Sequence, residues 1–176
     1  MPEFLTVRSP FDRHIIREFP LAGEKDAELA LKKAYDLFRD PSRHLPKFKR
    51  IEILERLVAL MEQQVEELTL IAAEEGGKPY KDSKVEVLRA INGVKIAIAE
   101  LYHLRGEEIP MGMTAASVNR LAFTTHEPIG VVLAISAFNH PLNLIIHQVI
   151  PAVATGCPVI IKPASSTPVS CLTLAA

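Results

Sequence analysis

The chain has 176 residues, a formal net charge of −1 and 48% apolar side chains, which suits one folded unit and excludes the basic surplus or acidic tail of a nucleic-acid partner. Its start, Met1-Pro2-Glu3-Phe4-Leu5, lacks the basic stretch and apolar run of a secretory leader. Cys157 and Cys171 are its 2 cysteines, too few for a disulfide framework and without metal-ligand spacing, so a reducing, cytoplasmic setting is expected.

In chain order, residues 24–39 read as a helix, with Leu29, Ala30, Leu37 and Phe38 at helical spacing and Pro41 closing it. A second helix is predicted over about 47–75. Ile51, Leu54, Val58, Met61, Val65, Leu68 and Ile71 form its apolar stripe, and Gly76-Gly77 supplies the stop. A third begins after Pro79 and carries Val85, Leu88, Ile91, Val94 and Ile98 before Gly106 ends it. Gly106, Pro110 and Gly112 then break helix, and Ser117 to His126 alternates, with Leu121 and Phe123 on one face. A ribbon there could pair with another subunit; an ordinary surface hairpin fits the same residues.

From Pro128 to Ala176 the one charged side chain is Lys162. Gly130 to Ile135 is a continuous apolar run of strand length. Pro141 starts a helix through 142–154, which Gly156 closes. Pro158-Val159-Ile160-Ile161 is a second apolar strand, and Pro168 begins another helix that is still running at Ala176. Apolar strands joined by a helix predict a parallel sheet covered on both faces. A membrane span is not expected, because Asn139, His140, Asn143, His147, Gln148, prolines and glycines interrupt the run before it approaches the ~20 apolar residues a helix needs to cross.

Ligands of open parallel sheets sit beyond the carboxyl ends of the strands. Ser136-Ala137-Phe138-Asn139-His140 and Lys162-Pro163-Ala164-Ser165 occupy those places, although neither is a G-x-G-x-x-G turn. Lys162 reads either as a solvated strand-end lysine or, given its isolation, as the counter-charge of a bound anion. No carboxylate accompanies Lys162, Ser165, Ser166 and Thr167, which favours NADP over NAD if a dinucleotide binds. Asn139 reads either as a turn residue or as an amide donor to an oxyanion.

Three signatures then occur in order: Glu127-Pro128-Ile129-Gly130-Val131, Phe138-Asn139-x-Pro141-Leu142 and Lys162-Pro163-Ala164. With their spacing, residues 127–168 resemble the start of the cofactor domain in the NAD(P)-dependent aldehyde dehydrogenase superfamily. Gly76-Gly77-Lys78-Pro79 and Gly106-Glu107-Glu108-Ile109-Pro110 extend that resemblance over almost the whole chain. It implies an α/β fold made of N-terminal helices and the start of a Rossmann-like parallel sheet, incomplete, with a protruding β-ribbon. The implied parts are a helical portion of the cofactor-binding domain over 1–104, an oligomerisation ribbon over 105–127 and the first βαβ unit over 128–176.

Carried over by residue, the resemblance implies that Asn139 donates its amide to the oxyanion of a thiohemiacetal. Ile135, Ser136, Ala137 and Phe138 would line the cofactor channel near the nicotinamide end. Lys162 would contact the adenosine ribose, with Ala164 and Ser165 beside it. The family often has Glu where this chain has Ser165, and that Glu would repel a 2′-phosphate, so Ser165 favours NADP while leaving NAD acceptable. A homodimer or homotetramer is implied, with no nucleic acid or membrane partner.

Members of the family are more than twice as long. Their nucleophilic cysteine, general-base glutamate and glycine-rich turn come later in the chain, whereas Cys157 and Cys171 read as small core residues. The expectation is therefore the N-terminal part of a dehydrogenase for a small aldehyde, needing the rest of its own chain, the catalytic domain, and inactive alone. The alternative is a non-catalytic nucleotide-binding or assembly module derived from the family. The Phe138-Asn139-His140-Pro141-Leu142-Asn143 version resembles members acting on small polar aldehydes such as lactaldehyde, phosphorylated glyceraldehyde and phosphonoacetaldehyde.

Overall fold

The computed structural model of the protein describes residues 3–176. An antiparallel hairpin opens it, β1 (Phe4–Arg8) against β2 (Ile15–Pro20), with a bulge between Val7 and Arg8. Helical periodicity does not mark this segment, but its β-branched residues and the Pro10-Phe11-Asp12-Arg13 turn account for it. Arg13 takes a left-handed conformation (φ 65°), and its N–H bonds to Ser9 O at 3.0 Å.

Helix α1 (Glu24–Arg39) has the expected bounds, and Asp26 closes its first turn by accepting from Gly23 N–H at 2.8 Å. Its expected apolar face is a correction. Ala34 is its buried residue, while Leu29 and Leu37 are exposed, because α1 packs chiefly on the second parallel strand and the turn at Pro41–Arg43.

The single helix expected over 47–75 is two, α2 (Lys47–Gln63) and α3 (Val65–Gly76). At Gln64 (φ −107°, ψ 16°) the N–H is shared between the carbonyls of Leu60 and Met61, each at 3.2 Å. No Gly or Pro causes this break. It redirects the chain, so that α2 packs on two later helices, α4 (Tyr80–His103) and α5 (Pro141–Thr155), while α3 packs on α4 and α6 (Pro168–Ala175). Gly77 then ends α3 in the left-handed region (φ 60°). A Cβ there would strike the Pro10 ring, so the residue must be glycine both for its backbone and for the hairpin lying against it.

Helix α4 (Tyr80–His103) is the central post. Here the buried face meets the predicted stripe at Ile91 and Val94 and departs from it toward the helix start. Val85 and Leu88 are exposed, and the buried face is Ser83, Glu86, Val87, Ala90, Ile91 and Val94. Gly93 of the same helix lies against Ile146 of α5, and a glutamate lies inside the buried face because it has partners on α5, described below. The core runs from Leu54, Val58 and Met61 through Val87, Ile91 and Val94 to Leu142, Ile146 and Ile150.

A short antiparallel ribbon follows, β3 (Glu108–Ile109) paired with β4 (Ala122–Phe123). Most of the alternating segment expected over Ser117–His126 is irregular. It is preceded by a 3-10 turn at Ala115–Ser117, and the ribbon is exposed. Then come β5 (Val132–Ile135), α5 (Pro141–Thr155), β6 (Val159–Lys162) and α6 (Pro168–Ala175). The two strands are parallel, in the register Val132↔Val159 to Ile135↔Lys162. Ala134 is buried with Ile145 and Cys171 on the helical side, whereas Leu133 and Ile135 lie exposed on the other face. The expected burial of both faces is thus met on one face within this chain. Among the described residues, no helix is long and apolar enough to cross a membrane.

Candidate active site

The register of β5 and β6 decides the geometry. Their last residues, Ile135 and Lys162, are partners, so loops 136–140 and 163–167 leave the sheet side by side. Ser136 N–H donates to Lys162 O at 3.0 Å, and Thr167 Oγ1 donates to Phe138 O at 3.2 Å. Gln148, reaching back from α5, donates from Nε2 to Ile135 O at 2.9 Å. Two segments 27 residues apart by their strand ends (162 − 135) thereby become one edge, Ile135 facing Lys162.

The residues singled out from sequence fall into two groups on this edge. Ser136 is buried, Ala137 half-buried, and the side chains of Ile135 and Phe138 are exposed. Asn139 is exposed, and its side-chain amide makes no hydrogen bond among the described residues, which leaves it free to meet a ligand. Across the edge, Lys162 and Ser165 are exposed over buried Ala164. Lys162 Nζ lies 3.5 Å from Ser165 Oγ, too far for a strong hydrogen bond and near enough for both groups to serve one polar ligand. Neither cysteine joins the edge. Both are buried, and burial beside the negative Glu75 pushes the Cys171 thiol up to about 11, away from nucleophilic use.

Behind the edge stand charged residues that periodicity did not single out. Glu86 of α4, with its side chain 0% exposed, accepts from Leu142 N–H at 3.0 Å and Asn143 N–H at 3.2 Å in the first turn of α5. Its second oxygen pairs with Lys78 Nζ and lies 3.3 Å from His140 Nδ1. Lys78 Nζ also donates to Asn139 O at 3.0 Å. Glu75 of α3 repeats the device on α6, accepting from Val169 N–H at 2.7 Å and Ser170 N–H at 2.8 Å.

These carboxylates satisfy amides that a helix start leaves unbonded and complement its partial positive charge. Burial raises the Glu75 pKa, with the nearby Glu86 adding to the rise and the amide bonds from Ser170 and Val169 opposing it. At the opposite end of α5, Arg50 donates to Ala154 O, and its own burial lowers its pKa. Because Glu75 and Glu86 already engage the N–H groups at 142, 143, 169 and 170, neither helix start is an open phosphate cradle. The sequence signal for the pair was a glutamate flanked by Val85 and Val87, and another directly before Gly76-Gly77. Among the described residues no cluster has the donor set of a metal site.

Over residues 2–176 the chain matches the aldehyde dehydrogenase family. It is 36% identical over 173 residues to a lactaldehyde dehydrogenase of Methanocaldococcus jannaschii, covering 98% of this chain and 36% of that protein. To a 3-sulfolactaldehyde dehydrogenase of Priestia megaterium it is 35% identical over 173 residues, with coverage of 98% and 36%. In three dimensions it is similar to aldehyde dehydrogenase 21 of Physcomitrella patens, solved in complex with the reaction product succinate. There the TM-score is 0.93 at 34% identity, with coverage of 98% of this chain and 36% of the other. It is likewise similar to a glyceraldehyde-3-phosphate dehydrogenase of Methanocaldococcus jannaschii complexed with NADP, at TM-score 0.90 and 35% identity, covering 99% and 37%. The chain spans little more than a third of the length of these relatives, matching their N-terminal part. On the family match over nearly every residue, and on relatives above 30% identity, the chain belongs to the aldehyde dehydrogenase family.

Proposed function

We propose that this chain supplies the cofactor-facing N-terminal part of an NAD(P)-dependent aldehyde dehydrogenase that oxidises a small aldehyde to the acid. The observation that carries the reading is the shared edge, where an exposed asparagine amide and an exposed lysine–serine pair stand at the carboxyl ends of adjacent parallel strands. On this reading Asn139 donates to the oxyanion formed when a cysteine outside this chain attacks the aldehyde. It stabilises the negative charge as it develops on the former carbonyl oxygen.

Lys162, Ala164 and Ser165 hold the adenosine end of the cofactor. Ile135, Ser136, Ala137 and Phe138 line its course toward the nicotinamide. The donor set fits NADP. Lys162 is exposed and free of a neighbouring carboxylate at the end of β6, and Ser165 brings a hydroxyl where a glutamate would repel a 2′-phosphate. NADP, when bound, supplies the acceptor for the hydride lost by the substrate carbon.

Burial of Cys157 and Cys171 supports a nucleophile outside this chain and no turnover by the chain alone. The exposed ribbon of β3 and β4 supports contact with another subunit in a dimer or tetramer. Relatives named for lactaldehyde and for glyceraldehyde 3-phosphate support a small polar aldehyde as substrate.

The test is aldehyde-dependent NADPH formation by the complete enzyme that contains this chain. Asn139→Ala is expected to lower turnover on the order of a hundredfold with the fold retained. An unchanged rate would return Asn139 to a turn role. No NADPH or NADH formation with any small aldehyde would favour a nucleotide-binding or assembly module.

A further inference from the structure

We propose that Lys78 and Glu86 are positioning residues for Asn139, forming a buried charge clamp that sets where its amide points. The inference rests on the reading of Asn139 as an oxyanion donor. An oxyanion donor must be aimed, and the Asn139 side chain has no hydrogen bond among the described residues to aim it. Its direction is therefore inherited from its backbone. That backbone is held at its own carbonyl by Lys78 Nζ at 3.0 Å. Two and three residues on from His140, the amides of Leu142 and Asn143 are held by Glu86 Oε1. The other Glu86 oxygen binds Lys78, so the two anchors are one unit.

Both anchors reach the loop from distant sequence, 61 residues away for Lys78 and 54 for Glu86 measured to His140. Lys78 is 19% exposed and Glu86 is fully enclosed, so water cannot cheaply replace the Glu86 bonds to Leu142 and Asn143, while the Lys78 bond to Asn139 O stands at the exposed edge and draws its order from the ion pair with Glu86. The loop is tied at Phe138 O by Thr167 as well, on the amino side of Asn139, while Lys78 holds its carbonyl side. The Lys78–Glu86 pair thus connects the helical core to the carbonyl of the residue proposed to meet the reacting oxygen. Displacements of about 1 Å in a catalytic group can cost ~100-fold in rate, so loss of the contact at the Asn139 carbonyl should be felt in kcat.

The experiment is a double-mutant cycle in the complete enzyme, reading kcat, aldehyde KM and the Kd for NADP. Lys78→Met is expected to lower kcat ~10-fold or more while the NADP Kd stays unchanged. Added to Asn139→Ala, it is expected to lower kcat no further, because the group it aims is gone. Lys78→Arg, which keeps the charge opposite Glu86, is expected to recover part of the loss. Glu86→Gln, which keeps an acceptor for α5 and removes the charge that holds Lys78, is expected to repeat the pattern of Lys78→Met. Should Lys78→Met fail to fold, Lys78→Arg and Glu86→Gln carry the same cycle. Losses that multiply with that of Asn139→Ala would overturn the proposal, as would an unchanged kcat in Lys78→Met. A wild-type enzyme that oxidises no aldehyde, or an Asn139→Ala variant with full activity, would instead overturn the reading on which the proposal rests.

Discussion

Ser165→Glu tests the cofactor assignment through electrostatics alone. Ser165 Oγ lies 3.5 Å from Lys162 Nζ, and both residues are exposed. A glutamate at 165 has two effects of different size. Its carboxylate pairs with Lys162, an exposed pair worth ~0.2–1 kcal/mol, and this weakens NADP and NAD alike. On the proposed placement of the cofactor it also faces the 2′-phosphate, which NAD lacks. With about two charges on that phosphate at ~5 Å from the carboxylate, and the dielectric of water, the repulsion is ~1.7 kcal/mol.

Since 1.4 kcal/mol is a factor of ten, NADP should lose about 15-fold more affinity than NAD. Screening supplies the control. The Debye length is ~10 Å at 0.1 M salt and ~3 Å at 1 M, so the discrimination should shrink in high salt. Isothermal titration calorimetry with both cofactors at both salt concentrations reads the effect directly. Equal losses for NADP and NAD would refute the placement of Ser165 beside the 2′ position. A discrimination that persists unchanged in 1 M salt would show that bulk, not charge, excludes the phosphate.

Other consequences of the structure are open to measurement. Leu142, fully buried where α5 meets α4, should cost about 3 kcal/mol when cut to alanine, read from urea unfolding; a loss below about 1 kcal/mol would mean the site collapses or is not core. His14 bonds Asp12 at 2.6 Å and Glu74 at 2.9 Å, and these partners raise its pKa above 6.5. A raised folded-state value contributes stability that is complete below the unfolded pKa and lost as pH rises through the folded one. Thermal melts should therefore show part of the stability lost as pH rises above 6.5, a part that His14→Gln removes and high salt weakens. Cys171, with its pKa pushed up to about 11, and buried Cys157 should resist an aromatic disulfide reagent in the native state and react once denatured; rapid native labelling would contradict the buried assignment.

Much of the element order was legible because the signals are local. Gly76-Gly77 after a helical stripe, Pro141 at a helix start and Gly156 at its end each constrain the backbone where they stand. The parallel pair was legible for a related reason, since two apolar runs separated by one helix of this length have few other ways to pair. The β1–β2 hairpin and the break at Gln64 were not. The hairpin is largely exposed, so its residues lack a clear two-fold apolar alternation, and the break involves no residue that resists helix.

The amino-acid sequence by itself determined the family, the two loops at the strand ends and the residue types offered there: Asn139, Lys162 and Ser165. Only the tertiary structure decided how those loops are held. Periodicity assigns a side chain to a face of its own helix, but it cannot say which neighbour that face will meet. Val85 and Leu88 satisfied the helical pattern and face outward, while Glu86 between them turned inward. A carboxylate survives burial only where donors converge on it, and its donors, Lys78 and the amides of Leu142 and Asn143, come together only when α4 lies across the start of α5.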